Sequence, residues 1–266
     1  MSQPDHFIID ITEENLEEQN IFCQQSKKKE EGYQAKVAWF KERLQEGMKL
    51  KILNVFEGKR GYKTRGFIEY IPGKYTWRGI EAENYMVIHC IWVVGQNKGK
   101  GFGTKLLEEC VKDAKGMNGI AVVTNKKGHW LPNPKLFKKH GFKVVDTIYD
   151  SLELLVKKFN ENAPDPKFFP LKPNKEYEKG FTILTSDQCP YNPAAARLVK
   201  IFAEKRNLPF RLIKIKTAKE AQENGYTPYG TFCIIFNGEY LSYYFQNEKG
   251  LTELLATKGI DLSKKI

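Results

Sequence analysis

Two spacings of apolar residues alternate along the 266-residue chain, and the switches between them outline its elements. "HFIIDIT" near the start is a short apolar run of strand type. Thr12, followed by Glu13, Glu14 and later apolar residues, predicts a capped helix. Over 31–46, Tyr33, Val37, Phe40 and Leu44 recur at helical spacing. Then come the strand-like runs "KLKILNVF", "RGFIEYIPG" and "YMVIHCIWVVG". The last is nearly continuous in bulky residues, which predicts a strand buried on both faces.

Beyond it lie closely spaced glycines and then Leu106, Leu107, Cys110, Val111 and Ala114 on one helical stripe. "GIAVVT" predicts a buried strand, Asn133-Pro134 the start of a short helix and Gly141 its end. "FKVVDT" and "LELLVKKF" close this region as strands.

Pro164, Pro166, Pro170 and Pro173 then interrupt the pattern. Proline fixes φ and lacks a donor, so this stretch predicts a semi-extended linker over 161–177. It divides the chain into domains at 1–160 and 178–266. In the second, "FTILT", a helix within 186–208, "FRLIKI", the short helix "TAKEAQEN", the hairpin "GTFCIIFNGEYLSYYF" and a final helix follow in order. The fold class is α/β (α+β): a mixed central sheet with flanking helices, plus a small βαβ…ββα domain.

The 41% hydrophobic and 13% aromatic content is that of a globular chain. No apolar run approaches the roughly 20 residues of a membrane span, and no signal peptide is visible at the start. The five cysteines are scattered without a CxxC pair, and the four histidines are dispersed. That pattern favours a reducing cytoplasm and predicts no disulfide framework and no metal centre. The net charge of +11 raises the question of nucleic acid, but the excess is spread, +5 over 1–165 and +6 over 166–266. The densest run, Lys27-Lys28-Lys29, is followed at once by Glu30-Glu31. A solvated surface with some pull for anionic ligands is the reading, with neither nucleic acid nor membrane as partner.

The stretch "VVGQNKGKGFGTKLL" (93–107) carries the chemistry. Strand, glycine-rich loop and helix together make a phosphate-binding arrangement, because residues without Cβ can turn their N–H groups inward at the positive end of a helix dipole. Neither a Walker A motif nor a Rossmann fingerprint is present.

Lys98-Gly99-Lys100-Gly101-Phe102-Gly103, set before Thr104-Lys105-Leu106-Leu107, resembles motif A of the GCN5-related N-acetyltransferases (GNAT), with Lys98 in place of the usual arginine. Gln96-Asn97-Lys98-Gly99-Lys100-Gly101 fits its letters in a second register. "NPKLFKKHGF" (133–142), with Asn133 and Phe137, resembles the family's short helix ending in Gly-Phe. The resemblance spans residues 7 to about 158 and implies the GNAT mixed sheet and acetyl-CoA as cofactor. It implies a pyrophosphate on the amides of 98–104, and pantetheine paired like an added strand with the backbone of Ile91 and Val93, one of whose N–H groups would polarise the thioester carbonyl. Many members have a proton-donating tyrosine at the position of Phe137. Phenylalanine cannot donate, so its ring packs either near the thioester or in the core.

Attack on a thioester requires a neutral amine and hence a base. The candidates are His89 and Cys90 on the strand before the loop, Glu69 on "GFIEYIPG", and Glu81 and Glu83 between. His89 is either a base or a core histidine; Cys90 is an acyl carrier or inert packing. Glu69 is a buried base if it faces inward and a surface residue if not. Tyr70, Tyr75 and Trp77 line an acceptor pocket or simply pack.

The second region resembles a thioredoxin-like domain, with Cys189-Pro190-Tyr191-Asn192 at the redox position. Asn192 replaces the second cysteine and Gly230 the usual cis-proline. Cys189, ahead of a helix, is a reactive thiol or a remnant. The whole resembles a bacterial GNAT subgroup with this appendage. The expected function is acetyl transfer from acetyl-CoA to an amine of a small molecule or peptide, directly and in a ternary complex. The alternatives are a thiol-reactive or redox protein using Cys189 with a CoA-binding first domain, and a non-catalytic sensor of CoA or another ligand.

Overall fold

A computed structural model describes residues 4–149, 151–173 and 175–260. The outer ends of the two expected domains (1–3 and 261–266), residue 150 and residue 174 of the expected linker lie outside the described residues. The chain divides into two compact units. One takes the residues up to Lys28, Val37–Thr76 and Ile80–Phe168; the other takes Lys29–Lys36, Trp77–Gly79 and the chain from Phe169.

The first half of the chain runs β1 (His6–Asp10), α1 (Leu16–Gln19), α2 (Glu31–Leu44), β2 (Lys49–Phe56), β3 (Tyr62–Pro72), β4 (Ile80–Glu81) and β5 (Met86–Val93). It continues with α3 (Phe102–Asp113), β6 (Gly119–Asn125), α4 (Lys135–Lys139), β7 (Lys143–Ile148), β8 (Leu152–Lys158) and β9 (Lys167–Phe168). Seven of these strands form one sheet, in the order β1-β2-β3-β5-β6-β8-β7. Every neighbouring pair is antiparallel except β5 and β6, which run parallel and are joined through α3.

The apolar stripe expected on α3 is buried: Leu106, Leu107, Cys110 and the following Ala114 join Ile68, Tyr70, Ile88 and Ile91 in one cluster. Each such leucine contributes about 2 kcal/mol over an exposed one. At Thr12 the helix is shorter than its sequence predicts. Asn15 Oδ1 accepts the Thr12 N–H (2.9 Å) and holds a turn, so that only Leu16–Gln19 is helical. In the expected linker, β9 pairs with β4, because the residues between Pro166 and Pro170 keep their N–H groups.

The second unit has β10 (Phe181–Thr185), α5 (Asn192–Glu204), β11 (Phe210–Lys214), α6 (Ala218–Gln222), β12 (Phe232–Phe236), β13 (Glu239–Ser242) and α7 (Glu248–Thr257). Its sheet runs β11-β10-β12-β13, with β10 and β11 parallel and the other pairs antiparallel. Asn237 and Gly238 have φ of 48° and 81°, as the tight turn of the β12–β13 hairpin requires. Asn192 Nδ2 donates to the carbonyls of Ser186 (2.9 Å) and Thr231 (3.1 Å), fixing the start of α5. Trp77–Gly79 belongs to this unit: Gly79 N–H donates to the Pro228 carbonyl (2.9 Å), and Arg78 Nη1 to that of Tyr229 (2.7 Å).

Candidate active site

β5 and β6 part company early. Their parallel pairing covers only Met86–Ile88 against Ile120–Val122, although β6 continues to Asn125 and stays paired with β8 throughout. An irregularity lies one residue further along β5. Glu69 pairs with Cys90 and Tyr70 with Ile88, so His89 is an extra residue, a bulge opposite β3. Bulges bend the strand that carries them and sharpen its twist, and here the bend coincides with the end of the pairing.

Past the bulge, Val94 N–H donates to the Arg65 carbonyl (2.9 Å) and Trp92 pairs with Phe67. Main-chain groups alternate sides along an antiparallel ladder, so those of Ile91 and Val93 point away from β3, to the side that β6 has left.

The chain next enters a 3-10 turn, Gly95–Asn97, and then the glycine loop. Gly99 (φ 79°) and Gly101 (φ 81°) adopt the left-handed conformation that favours glycine, and a Cβ on either would meet no protein atom within 4 Å. Lys105 N–H bonds back to the Gly101 carbonyl (3.2 Å). The N–H groups of Gly99, Lys100, Gly101, Phe102, Gly103 and Thr104 have no protein acceptor among the described residues. Six successive donors at the positive end of a 12-residue helix form an arrangement that can hold an anion. Lys98 and Lys100 are exposed beside it, with the Lys98 ammonium 4.8 Å from the Trp92 ring centroid.

A carboxylate anchors the entry to the loop. Glu57 receives two hydrogen bonds from the Arg65 guanidinium (2.6 and 2.8 Å) and one, at 3.4 Å, from the buried Asn97 amide. The Arg65 hydrogen bonds, with burial opposing them, pull the Glu57 carboxyl down to about 2.

The sheet face opposite α3 gathers the candidate bases. His89 has no exposed surface and Glu69 almost none; His89 Nδ1 lies 3.6 Å from Glu69 Oε1, and His89 Nε2 lies 3.1 Å from Thr76 Oγ1. Cys90 is half-buried directly opposite Glu69. Trp92, 46% exposed, ends the row beside Phe67, whose other neighbour is the stacked ring of Phe22 at 4.7 Å. That exposure departs from a strand buried on both faces. Glu81 and Glu83 are exposed, and Glu81 pairs with Lys167 (3.2 Å).

Tyr70 faces α3 instead, its hydroxyl donating to Asp113 (2.7 Å), and Tyr75 is half-buried beside Lys74. Phe137 is fully buried, edge-on to Phe142 at 5.3 Å, in the α3 cluster. Asn133 is exposed and caps its own turn, accepting the Lys135 N–H (3.0 Å) and donating to the Lys126 carbonyl.

The sequence profile of the acetyltransferase (GNAT) family matches residues 14–142, and that of YoaP-like domains matches 209–252. A Bacillus subtilis (strain 168) protein named as an uncharacterized N-acetyltransferase, YoaP, is 31% identical over 254 residues, 94% of this chain and 98% of its own. The chain belongs to the GNAT acetyltransferase family. Among solved structures, the Escherichia coli GNAT protein YhbS, in complex with CoA, is similar at TM-score 0.41 and 10% identity, over 64% of this chain and 93% of its own. An IAA acetyltransferase from Bacillus cereus ATCC 14579 is similar at TM-score 0.37 and 18% identity, over 58% and 99%.

Several residues around the candidate site escape a linear reading. Glu57 and Arg65 precede the loop by more than 30 residues, and only strand pairing brings them to Asn97. Thr76 carries no motif. His140 was visible only as part of "KKHGF", yet its Nε2 meets Thr104 Oγ1 at 2.9 Å. In the acetyltransferase's second unit, Cys189 is half-buried three residues ahead of α5. The side chain in place of a second cysteine, Asn192, is fully buried and engaged with backbone.

Proposed function

We propose that this acetyltransferase takes acetyl-CoA as donor and passes the acetyl group directly to an amine of a small molecule or peptide held in the same complex. The observation that carries this reading is the continuity of two features: the outward main-chain groups of Ile91 and Val93 beyond the bulge, and the six unengaged amides that follow. A strand-like polyamide arm fits the first and a diphosphate the second. The open space before Gly99 and Gly101 leaves room for the approach.

Lys98 and Lys100 add charge at that seat, and Phe102, Gly103 and Thr104 supply the first-turn N–H groups; Asn133 holds the turn before α4. Bound acetyl-CoA supplies an acetyl group activated as a thioester. The N–H of Ile91 or Val93 would donate to the acetyl carbonyl oxygen, where negative charge develops, and as the C–S bond breaks the proton left on the attacking nitrogen would pass to the departing CoA thiolate.

Glu69, through Oε1, takes up the proton that the acceptor ammonium must lose, directly or through one water. His89, 3.6 Å away and held from its other nitrogen by Thr76, orients that carboxylate and shares its proton. Cys90 stands beside the pair as a packing residue. Phe137, which cannot donate a proton, supports α3 from below. In the second unit, the strand order β11-β10-β12-β13 supports a thioredoxin-like domain. Asn192 in place of a second cysteine supports a role other than disulfide exchange.

Release of free thiol from acetyl-CoA, followed across a panel of amines, tests the reading. Turnover is expected with at least one amine and should survive Cys189→Ser. Gly101→Val should abolish CoA binding in calorimetry, because the residue is at φ 81° and the added side chain would stand before the amides. Unchanged affinity in that variant would refute the diphosphate seat.

A further inference from the structure

The sheet face that carries Glu69 ends in an aromatic row. Trp92 is open to solvent on a strand whose other side chains are buried or half-buried. Directly opposite it on β3 is the buried Phe67, on which Phe22 stacks with its plane tilted by 28°. Phe67 and Glu69 stand two residues apart on β3, as Cys90 and Trp92 do on β5, so the four share one face. Glu69 lies diagonally across from Trp92, a separation of roughly 7–8 Å that long and aromatic side chains can span. Ile91 and Val93, whose main-chain groups flank the thioester in the function proposed above, sit on either side of Trp92.

The two ends of this row ask for different chemistry. The carboxylate of Glu69 suits a group that arrives as a cation and leaves a proton behind. The Trp92 ring suits a flat apolar group, since paired rings attract one another beyond the area they bury. Lys98 already holds its ammonium 4.8 Å from the Trp92 centroid, and Lys100 is exposed two residues on. Those charges repel a second cation at the Trp92 end, whereas a neutral ring meets no such opposition.

We propose that the acceptor is a primary amine carried on a short chain from a neutral aromatic ring, with the ring on Trp92 and the amine toward Glu69. The proposal rests on acetyl transfer as proposed above and narrows its acceptor to arylalkylamines. The ammonium gives one proton to Glu69, and the nitrogen bonds to the acetyl carbon as the C–S bond breaks. Its second proton passes to the CoA thiolate, so the products are the N-acetylated amine and free CoA. Trp92 is then a specificity-determining residue, which touches the ring rather than the reacting atoms.

Initial rates of thiol release from acetyl-CoA, with 2-phenylethylamine, n-butylamine and 1,4-diaminobutane as acceptors, test this in the wild-type chain, Trp92→Ala and Trp92→Phe. The wild-type kcat/KM for 2-phenylethylamine should exceed that for either aliphatic amine by about tenfold or more. Trp92→Ala should remove most of that ratio, chiefly through a higher KM for the aromatic amine, and Trp92→Phe should restore part of it. The ratio is taken within one preparation, so a loss of folded protein cancels. A wild-type ratio of one or less, or a ratio kept in Trp92→Ala, would overturn the aromatic class and leave acetyl transfer standing. Thiol release only with other amines of a wider panel would do the same, and release with no amine at all would overturn both.

Discussion

Glu57 shows how one side chain can shape a loop to which it does not belong. Its carboxylate joins Arg65, whose carbonyl fixes Val94, to Asn97 at the mouth of the loop. Glu57→Gln should therefore weaken CoA binding by about three- to tenfold through a looser loop, with no change in the rate of acetyl transfer at saturating donor; calorimetry and steady-state kinetics together check the split. The pH dependence follows from the lowered carboxyl. A depressed folded-state value means that the tie is fully present above the unfolded value near 4.3 and is lost only as pH falls toward about 2. Glu57 should thus leave CoA affinity flat between pH 5 and 8, which a pH series of titrations would show. Glu69→Gln should act oppositely, lowering turnover by roughly a hundredfold or more while donor affinity holds. A turnover loss of less than about threefold would remove Glu69 from the proton path.

Among the elements, what was legible depended on whether its cause was local. The glycine loop and α3 could be read directly, since Gly99, Gly101 and the stripe Leu106–Leu107–Cys110 need only their own neighbours to dictate conformation. β5 was legible as a strand, but its bulge was not: that His89 is the extra residue depends on the register of β3, fixed by contacts twenty residues away. The same holds for Lys51, which reads in sequence as one polar position in an apolar run. In the fold its ammonium is buried among Asp10 (2.9 Å), Glu109 (3.1 Å) and Asp113 (3.1 Å). Burial opposes its charge, but the hydrogen bonds from it to those carboxylates outweigh this and push its proton affinity above that of an ordinary lysine. A raised value gives stability that is fully present below about pH 10.4 and is lost only as pH climbs beyond it. Lys51→Met should cost about 3 kcal/mol in urea unfolding, because it leaves the acidic groups unpaired around β2 and α3.

At the scale of the whole molecule, the chain carries two sheets with separate logic. The first splits between its parallel strands and offers main-chain groups on one edge of the split; the second is continuous from β11 to β13. The second region's βαβ…ββα order was plain in the sequence, with Asn237-Gly238 marking its hairpin turn; Thr217 and Asn247, which cap α6 and α7, are local signals of the same kind. That Trp77–Gly79 would join this unit was not legible, since nothing in three residues records a partner 150 positions away.

Hydrogen exchange on addition of CoA tests the central claim most directly. The amides of Gly99–Thr104, together with one or both of Ile91 and Val93, should slow by at least about tenfold as they gain acceptors, while amides in β10–β13 keep their rates. CoA bound at saturation with those amides exchanging as fast as before would contradict it.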